Sequence, residues 1–445
     1  MDVQGMMRAR DGRARRQAAL LEEHGLTLVC LGLNIAGPLK TNRRIEAAFR
    51  LACQDLYDAL AASRLRVKHR ETYLLPSGPE GYVCVEGGAQ AVKALCLALE
   101  ERDALGRLLD LDVLAPDGRK LSRQALRRPA RGCLVCGRPG SYCAASRAHD
   151  AGTLYRAAMG IITAALGQRQ QEKVGALATQ ALLVELAVTP KPGLVDRNNT
   201  GAHQDMDCHT FVASAAVLTG YFETCARLGR KYGAGEGCFA RLRLEGKLAQ
   251  GRMLRATGGV NTHQGAIFTL GILAAAAGYL LNQQQPVSPK RLSQASMRLC
   301  AAALEGERAQ LREAVTWGER LMKGRLAGAR AEAAAGFPTV MAAGLPALQE
   351  ALAGGQTLDE AGARALLVIM LKAEDTVLLR RAGAAGAGRA LADAARVLAG
   401  GLRPDDLLAL DQAFICQGLS PGGSADLLAA TLFVHLLEAD GKIQG

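Results

Sequence analysis

The sequence changes texture once, and that change bounds the fold. Up to about residue 165, helical stretches such as 45–62 and 89–102 alternate with strand-like runs: LTLVCLGLNI, ETYLL, YVCVEG and LLDLDVL. Turn signals, PSGPEG and APDG, separate them. That mixture predicts an α+β domain. From about residue 173 nearly every segment has the period and length of a helix, as in 173–186, 208–228, 263–281, 308–322, 358–371 and 425–437. Strand signals nearly vanish there, which predicts an all-α domain. The polar, glutamine-rich stretch GQRQQEK at 167–173 is the expected joint, giving two domains, 1–168 and 169–445. A chain of 445 residues is long for one domain and comfortable for two.

Bulk composition excludes several classes of protein. Hydrophobic residues make up 49% of the chain, which argues against general disorder. Aromatics are scarce at 4%, while Ala, Leu and Gly dominate, so helices packed through small residues are expected. No apolar run is long enough to span a bilayer, and the stretch 266–281 reads as a buried helix. The arginine-rich start (Arg8, Arg10, Arg13, Arg15, Arg16) looks like a transit peptide. Acids follow at once, however (Asp11, Glu22, Glu23), and no apolar core with a cleavage site appears. A cytoplasmic protein with no membrane partner is expected. Its 12 cysteines would then be reduced.

The net charge of +12 is uneven. Residues 1–165 hold 25 Lys and Arg against 17 Asp and Glu, a net of +8. Such a surface suits a partner carrying phosphates or acidic groups. No basic run is interleaved with aromatics, so no nucleic acid is expected. A homodimer is left open.

In the first half, LGRLLDLDVLAPDG carries the chemistry. Strand alternation puts Asp110 and Asp112 on one face and Leu109, Leu111 and Val113 on the other. Two such carboxylates repel unless a divalent cation relieves them. Mg²⁺ held by one or two carboxylates and substrate phosphates is the usual solution. The bland alternative is a strand end with two solvated aspartates. Downstream, RGCLVCGRPGSYCAASRAH spaces Cys133, Cys136, Cys143 and His149 as a Cys₃His zinc site could be spaced. Its alternative is a reduced loop whose Arg131, Arg138 and Arg147, with Arg107 upstream, bind a di- or triphosphate.

The second half concentrates polar groups at helix ends. TPKPGLVDRNNTGAHQDMDCHTF crowds Asp196, His203, Asp205, Asp207 and His209 into one short loop. RATGGVNTHQG sets Gly258, Gly259, Asn261, Thr262 and His263 before a helix, where backbone amides favour an anion. Glu332 precedes a Gly-Phe-Pro break, and Glu374, Asp375, Arg380 and Arg381 mark another helix end. Ser420, Ser424 and Asp426 begin a glycine-rich helix start. These ends either converge on one pocket or are ordinary caps.

Both halves resemble known families. LNIAGPLK, SGPEGYVCV, GRLLDLDV, LSRQALRRPARGCLVC and SRAH, over roughly 12–165, occur in the order seen in apo-citrate lyase phosphoribosyl-dephospho-CoA transferase. Ala36 and Ser77 depart from that pattern, where proline and threonine are usual. The resemblance implies a nucleotidyltransferase-like use of the Asp-x-Asp pair. Phosphoribosyl-dephospho-CoA would pass from its triphosphate precursor to a serine of the apo acyl carrier subunit of citrate lyase, and pyrophosphate would leave. Acyl carrier proteins are typically acidic, so opposite charge would steer the encounter.

TPKPGLVDRNNTGAHQDMD, ATGGVNTHQGAIF, GFP, DTVLLRR and LSPGGSADLLA, over about 173–440, look like triphosphoribosyl-dephospho-CoA synthase. Gln264 and Val377 depart from that family's usual lysine and asparagine. The resemblance implies ATP + 3′-dephospho-CoA → 2′-(5″-triphosphoribosyl)-3′-dephospho-CoA + adenine. The resemblance does not assign the roles; from the needs of that reaction, Asp205 and Asp207, with Asp375, are expected to hold Mg²⁺. Lys191, Arg380, Ser424 and the amides near Gly258, Gly259 and Asn261 would hold phosphates. His203 or His263 would move a proton near neutrality, and Asp196 is a reserve base. Taken together, the two resemblances imply a bifunctional enzyme. The alternative acceptor is the carrier protein of malonate decarboxylase.

Overall fold

A computed structural model of the chain describes residues 3–37, 39–310 and 327–440. Two compact units divide it, Met1–Leu166 and Gly167–Gly445.

The first unit is built on an antiparallel sheet. Its strands are β1 (Thr27–Leu33), β2 (Arg66–Leu75), β3 (Gly78–Glu86), β4 (Leu109–Leu114) and β5 (Lys120–Leu121), in the order β2-β3-β1-β4-β5. Alternation sorts the side chains. Val29, Leu31, Val83, Val85, Leu109, Leu111 and Val113 bury on one face. They pack against Phe49 and Leu56 of helix α2 (Arg43–Ala62) and Val92 and Cys96 of α3 (Ala89–Arg102). On the other face Leu28, Cys30, Tyr82 and Cys84 pack with Leu20 of α1 (Val3–His24). The arginine-rich start is therefore part of this unit. Arg13 donates to Glu80 through Nε and Nη2 (3.1 and 2.6 Å), and Arg16 Nε donates to Glu71 (2.6 Å). These arginines pin α1 to the β2–β3 hairpin. A short helix, α4 (Gly140–Ala145), follows the cysteine-rich loop.

The expected joint lies inside a helix, α5 (Ala151–Ala187). Gln, Arg, Glu and Lys are good helix formers, and the stretch holds no proline. The boundary between the two units falls at the start of this stretch, and the helix runs unbroken through it.

The second unit is helical among its described residues. It continues with α6 (Cys208–Tyr232), α7 (Glu236–Ala256), α8 (Gln264–Asn282), α9 (Pro289–Gln310) and α10 (Gly328–Ala334). After a π turn at Val340–Gly344 come α11 (Leu345–Ala353), α12 (Leu358–Lys372), α13 (Thr376–Ala399), α14 (Pro404–Cys416) and α15 (Gly422–Ala439). Of the helix expected over 308–322, residues 311–322 lie outside the described residues. Helix α8 is long and apolar enough to cross a membrane, but 78% of its apolar window is buried within the unit. Glycines let it approach α6. A methyl group at Gly229 would overlap the Ala275 carbonyl, and one at Gly278 would overlap that of Ala226.

Capping residues set the helix starts. Asp207 and Thr210 form a capping box on α6, and Thr357 and Glu360 form one on α12. Each is worth about 1 kcal/mol to its helix.

Candidate functional site

In the second unit a cavity of about 820 Å³ opens where the polar helix ends meet. Its wall includes Lys191, His203 and Asp205 from the charged loop, Asn261 to Gly265 before and within α8, Arg380 and Arg381 of α13, and Ser420 and Asp426 beside and within α15.

The charged loop is wound tightly by its own polar groups. Asp196 is buried, and its carboxylate accepts from the amides of Lys191 (3.0 Å), Asn198 (2.7 Å) and Asn199 (3.1 Å). Asp411 of α14 anchors the loop by accepting from the Gly193 amide and the Asn199 side chain, both at 2.9 Å. Gly193 has φ +69°, and a side chain there would strike the Leu419 carbonyl. Only glycine fits both demands. Asp196 thus organises the loop and is not among the cavity-lining residues. That differs from its expected role as a reserve base.

Two more expected ligands are occupied as caps. Asp207 is exposed at the start of α6, with Oδ1 accepting from the Thr210 amide (2.8 Å) and hydroxyl (2.6 Å). Asp375 is 6% exposed and caps two helices at once. Its Oδ1 accepts from the amides of Val377, Leu378 and Gly423 (3.0, 2.9 and 3.3 Å). Its Oδ2 accepts from the amide and hydroxyl of Ser424, both at 2.8 Å. Five donors use up the carboxylate's acceptor capacity. Asp375 therefore staples α13 to α15 and has nothing left for a cation, and Ser424 serves that staple. Gly258 and Gly259, with φ +65° and +96°, form the turn after α7, outside the cavity wall. Asn261 lies on the wall, and its amide donates to Gln264 (2.6 Å).

Both histidines have lowered pKa values, and His263 does not titrate near neutrality as expected. His263 is 4% exposed, and burial, helped by the Lys191 charge, lowers its pKa to about 3. Thr262 donates to Ser214 Oγ (2.8 Å), so the Ser214 proton points at His263 Nδ1 (2.6 Å). The ring proton then sits on Nε2, which has no partner among the described residues. His203 is lowered by burial and by the Arg381 charge. Arg381 donates to its Nδ1 (3.4 Å), which leaves Nε2 to donate to Ser420 Oγ (2.9 Å). With both nitrogens engaged, His203 orients Ser420. Asp205 stands open, with 65% of its side chain exposed and only a distant contact to His203 (3.8 Å).

The cavity wall adds three more carboxylates, of which Glu185 carries no local sequence signal. Glu185 of α5 pairs with Lys191, itself 1% exposed, at 2.5 Å, and burial pushes the Glu185 carboxyl up. Asp426 is pushed well above the ordinary carboxylate range by burial and by the Glu185 charge. Its Oδ2 lies against Gly265, where a methyl group would overlap it. Glu332, also raised by burial, accepts from the Thr339 amide (3.1 Å) and hydroxyl (2.6 Å).

The first unit has its own constellation. Asp110 and Asp112 lie on one face of β4, with the three aliphatic residues buried behind them. Asp110 is opposite Gly32 of β1, and the space a side chain would take there is open. Asp110 is exposed at its rim, yet enough protein surrounds its carboxyl, beside the Asp112 charge, to raise it. Asp112 pairs with Lys120 at 2.6 Å. Behind the strand, buried Glu100 accepts from the Leu111 amide (3.1 Å) and pairs with Arg123 (2.7 Å) and Arg131. Arg131 also donates to the Leu109 carbonyl (2.6 Å), and Arg107 to the Cys133 carbonyl (3.0 Å). Arg131 and Arg107 therefore brace the strand and the loop. Arg147 is exposed, in a left-handed turn with φ +48°. Cys133, Cys136, Cys143 and His149 are brought together, their ligand atoms all within 4.8 Å of one another.

Comparison with known proteins covers both units. Residues 171–444 match the family model described as ATP:dephospho-CoA triphosphoribosyl transferase. Residues 1–165 match that of apo-citrate lyase phosphoribosyl-dephospho-CoA transferase. The chain is 31% identical to the protein CitXG of Leuconostoc mesenteroides subsp. cremoris, covering 96% of this chain and 95% of that one. It is 32% identical to the CitXG of Haemophilus influenzae, covering 97% and 96%. The 2-(5''-triphosphoribosyl)-3'-dephosphocoenzyme-A synthase of Klebsiella pneumoniae is 39% identical over 60% of this chain and 92% of its own.

Proposed function

The chain belongs to the family of two-part transferases named CitXG, and on that premise we propose that it builds and attaches the prosthetic group of citrate lyase. The second unit makes the triphosphoribosyl precursor from ATP and 3′-dephospho-CoA. The first unit, used in a nucleotidyltransferase-like way, moves phosphoribosyl-dephospho-CoA onto a serine of the apo acyl carrier protein and releases pyrophosphate. The observation that carries this reading is a polar cavity built from the charged loop and the starts of α8, α13 and α15.

In the second unit the 2′-hydroxyl of dephospho-CoA attacks C1″ of the ATP ribose. The C1″–N9 bond breaks, the hydroxyl proton goes to a base, and adenine leaves with a proton from an acid. Asp426, its carboxyl raised well above the ordinary range by burial and by the Glu185 charge, is suited to protonate adenine. The neutral His263 Nε2–H is a fixed donor on the same wall. Glu332, its carboxylate raised by burial, is suited to take the hydroxyl proton. Lys191 and Arg380 draw the triphosphate in. Asp205 fits Mg²⁺, because its open carboxylate is on the wall and the triphosphate would supply further oxygens. Bound there, Mg²⁺ would neutralise triphosphate charge.

In the first unit Asp110 and Asp112 fit Mg²⁺ on similar grounds. Asp110 is raised partly by its neighbour's charge, which a cation relieves, and the space at Gly32 is open beside it. Lys120 holds Asp112 in place.

The test supplies ATP, dephospho-CoA, Mg²⁺ and apo acyl carrier protein to the full chain. Adenine should form first, and then the carrier mass should rise as pyrophosphate appears. Adenine that fails to form would overturn the second-unit assignment. Loading of the malonate decarboxylase carrier in preference to that of citrate lyase would move the acceptor.

A further inference from the structure

The cysteine cluster of the first unit has no part in this chemistry, yet its loop is built in detail. Between Cys133 and Cys136 the backbone makes a tight knuckle. The Val135 amide points at Cys133 Sγ (3.5 Å), and the Arg138 amide hydrogen-bonds to the Cys136 sulfur. Gly137, at φ +74°, turns the chain so that its amide donates to the Cys133 carbonyl (3.1 Å). The Cys133 amide reaches across to the Arg138 carbonyl (2.6 Å), and Gly132 bridges to Pro139. Helix α4 then brings Cys143 to 3.4 Å from Cys136, sulfur to sulfur. The left-handed turn at Arg147 returns His149 to the cluster beside the Cys136 sulfur, with its Nε2 buried.

Four ligands of these types suit zinc. Tetrahedral Zn–S and Zn–N bonds of about 2.3 and 2.0 Å set the four ligand atoms of a Cys₃His site roughly 3.5 to 3.8 Å apart. The four atoms here all lie within 4.8 Å of one another, so small side-chain rotations close the site. A disulfide between two of the cysteines would leave the third and the histidine without a use. Amide-to-sulfur hydrogen bonds favour thiolates, and three thiolates on one Zn²⁺ leave a single negative charge for Arg131, Arg138 and Arg147 to offset. All four positions are filled by protein, which marks a structural site.

We propose that Cys133, Cys136, Cys143 and His149 hold one structural zinc ion, which fixes the loop whose Cys133 carbonyl receives Arg107 and whose Arg131 braces the strand carrying Asp110 and Asp112. The full chain, purified without chelator, should contain one zinc per chain by elemental analysis. X-ray absorption should report three sulfur ligands and one nitrogen. Cys136→Ser and His149→Ala should each lower the zinc content at least several-fold. In the wild-type chain, which needs no variant to fold, stripping the metal with a chelator should speed hydrogen exchange across 131–149 and leave the strands β1 and β3 protected. Cobalt added to the stripped protein should give thiolate-to-metal charge-transfer bands. A purified chain that lacks zinc and fails to take up zinc or cobalt when reduced would overturn the proposal. So would a Cys136–Cys143 disulfide found by mass spectrometry in protein kept reduced.

Discussion

His263 should make the second unit sensitive to acid by an amount that its burial sets. In the unfolded chain the ring titrates near 6.5, whereas in the folded chain its pKa is lowered to about 3. As pH falls below 6.5, the unfolded chain gains a proton that the folded chain refuses. The contribution is therefore complete above 6.5 and is lost as pH drops toward about 3. Between pH 7.5 and 5.0 the loss comes to about 2 kcal/mol. His263→Asn removes the titrating group and keeps an acceptor where Ser214 donates. Hydrogen exchange of peptides from α8 in urea reads the stability of the second unit alone. Wild type and variant are each compared at the two pH values, so other titrating groups cancel. The wild-type chain should lose about 2 kcal/mol more than His263→Asn over that interval. Equal losses in the two proteins would refute the buried neutral imidazole, whatever the variant's absolute stability.

Further outcomes follow from single contacts. Asp375→Ala strips the caps from α13 and α15 together and should cost about 2 to 4 kcal/mol, read as a lower denaturation midpoint of the second unit. Asp110→Asn should abolish carrier loading and leave adenine release intact, because the two assays read different units. Gly265→Ala should displace the Asp426 carboxyl and slow adenine release on the order of 100-fold with little change in folding, seen in kcat rather than KM. Ser214→Ala frees the His263 ring to exchange tautomers and should lower the rate roughly 10-fold, with the acid limb of stability preserved.

The parts of the fold written in periodicity were legible. Leu109, Leu111 and Val113 alternate with two aspartates, so period 2 alone places the carboxylates on one face of β4. The apolar run of α8 reads as a buried helix because its length and composition leave no solvated side. The convergence of helix ends was legible as one of two options, but which acids would face the cavity was not. Asp375 and Asp207 look like ligands in sequence, and their neighbours' amides claim them as caps. Glu185 is hidden in a helical run and meets Lys191 only after the chain turns back through the proline-rich loop. The hydrogen bonds that hold His203 and His263 come from Arg381, Ser420, Ser214 and Thr262, some of them far away in sequence. GQRQQEK marks the boundary between the two units, but its composition did not show that one helix carries the chain through it.

The arginine-rich first helix bears on how a shortened chain would behave. A start site placed one helix downstream would drop residues that resemble a disposable leader. It would also uncover Leu28, Cys30, Tyr82 and Cys84 and leave Glu71 and Glu80 without their arginines. Such a product would carry every residue assigned a chemical role here and still present a bare apolar sheet face to solvent. Its expected behaviour is self-association, and an assay of that product would mistake a missing cover for a missing activity.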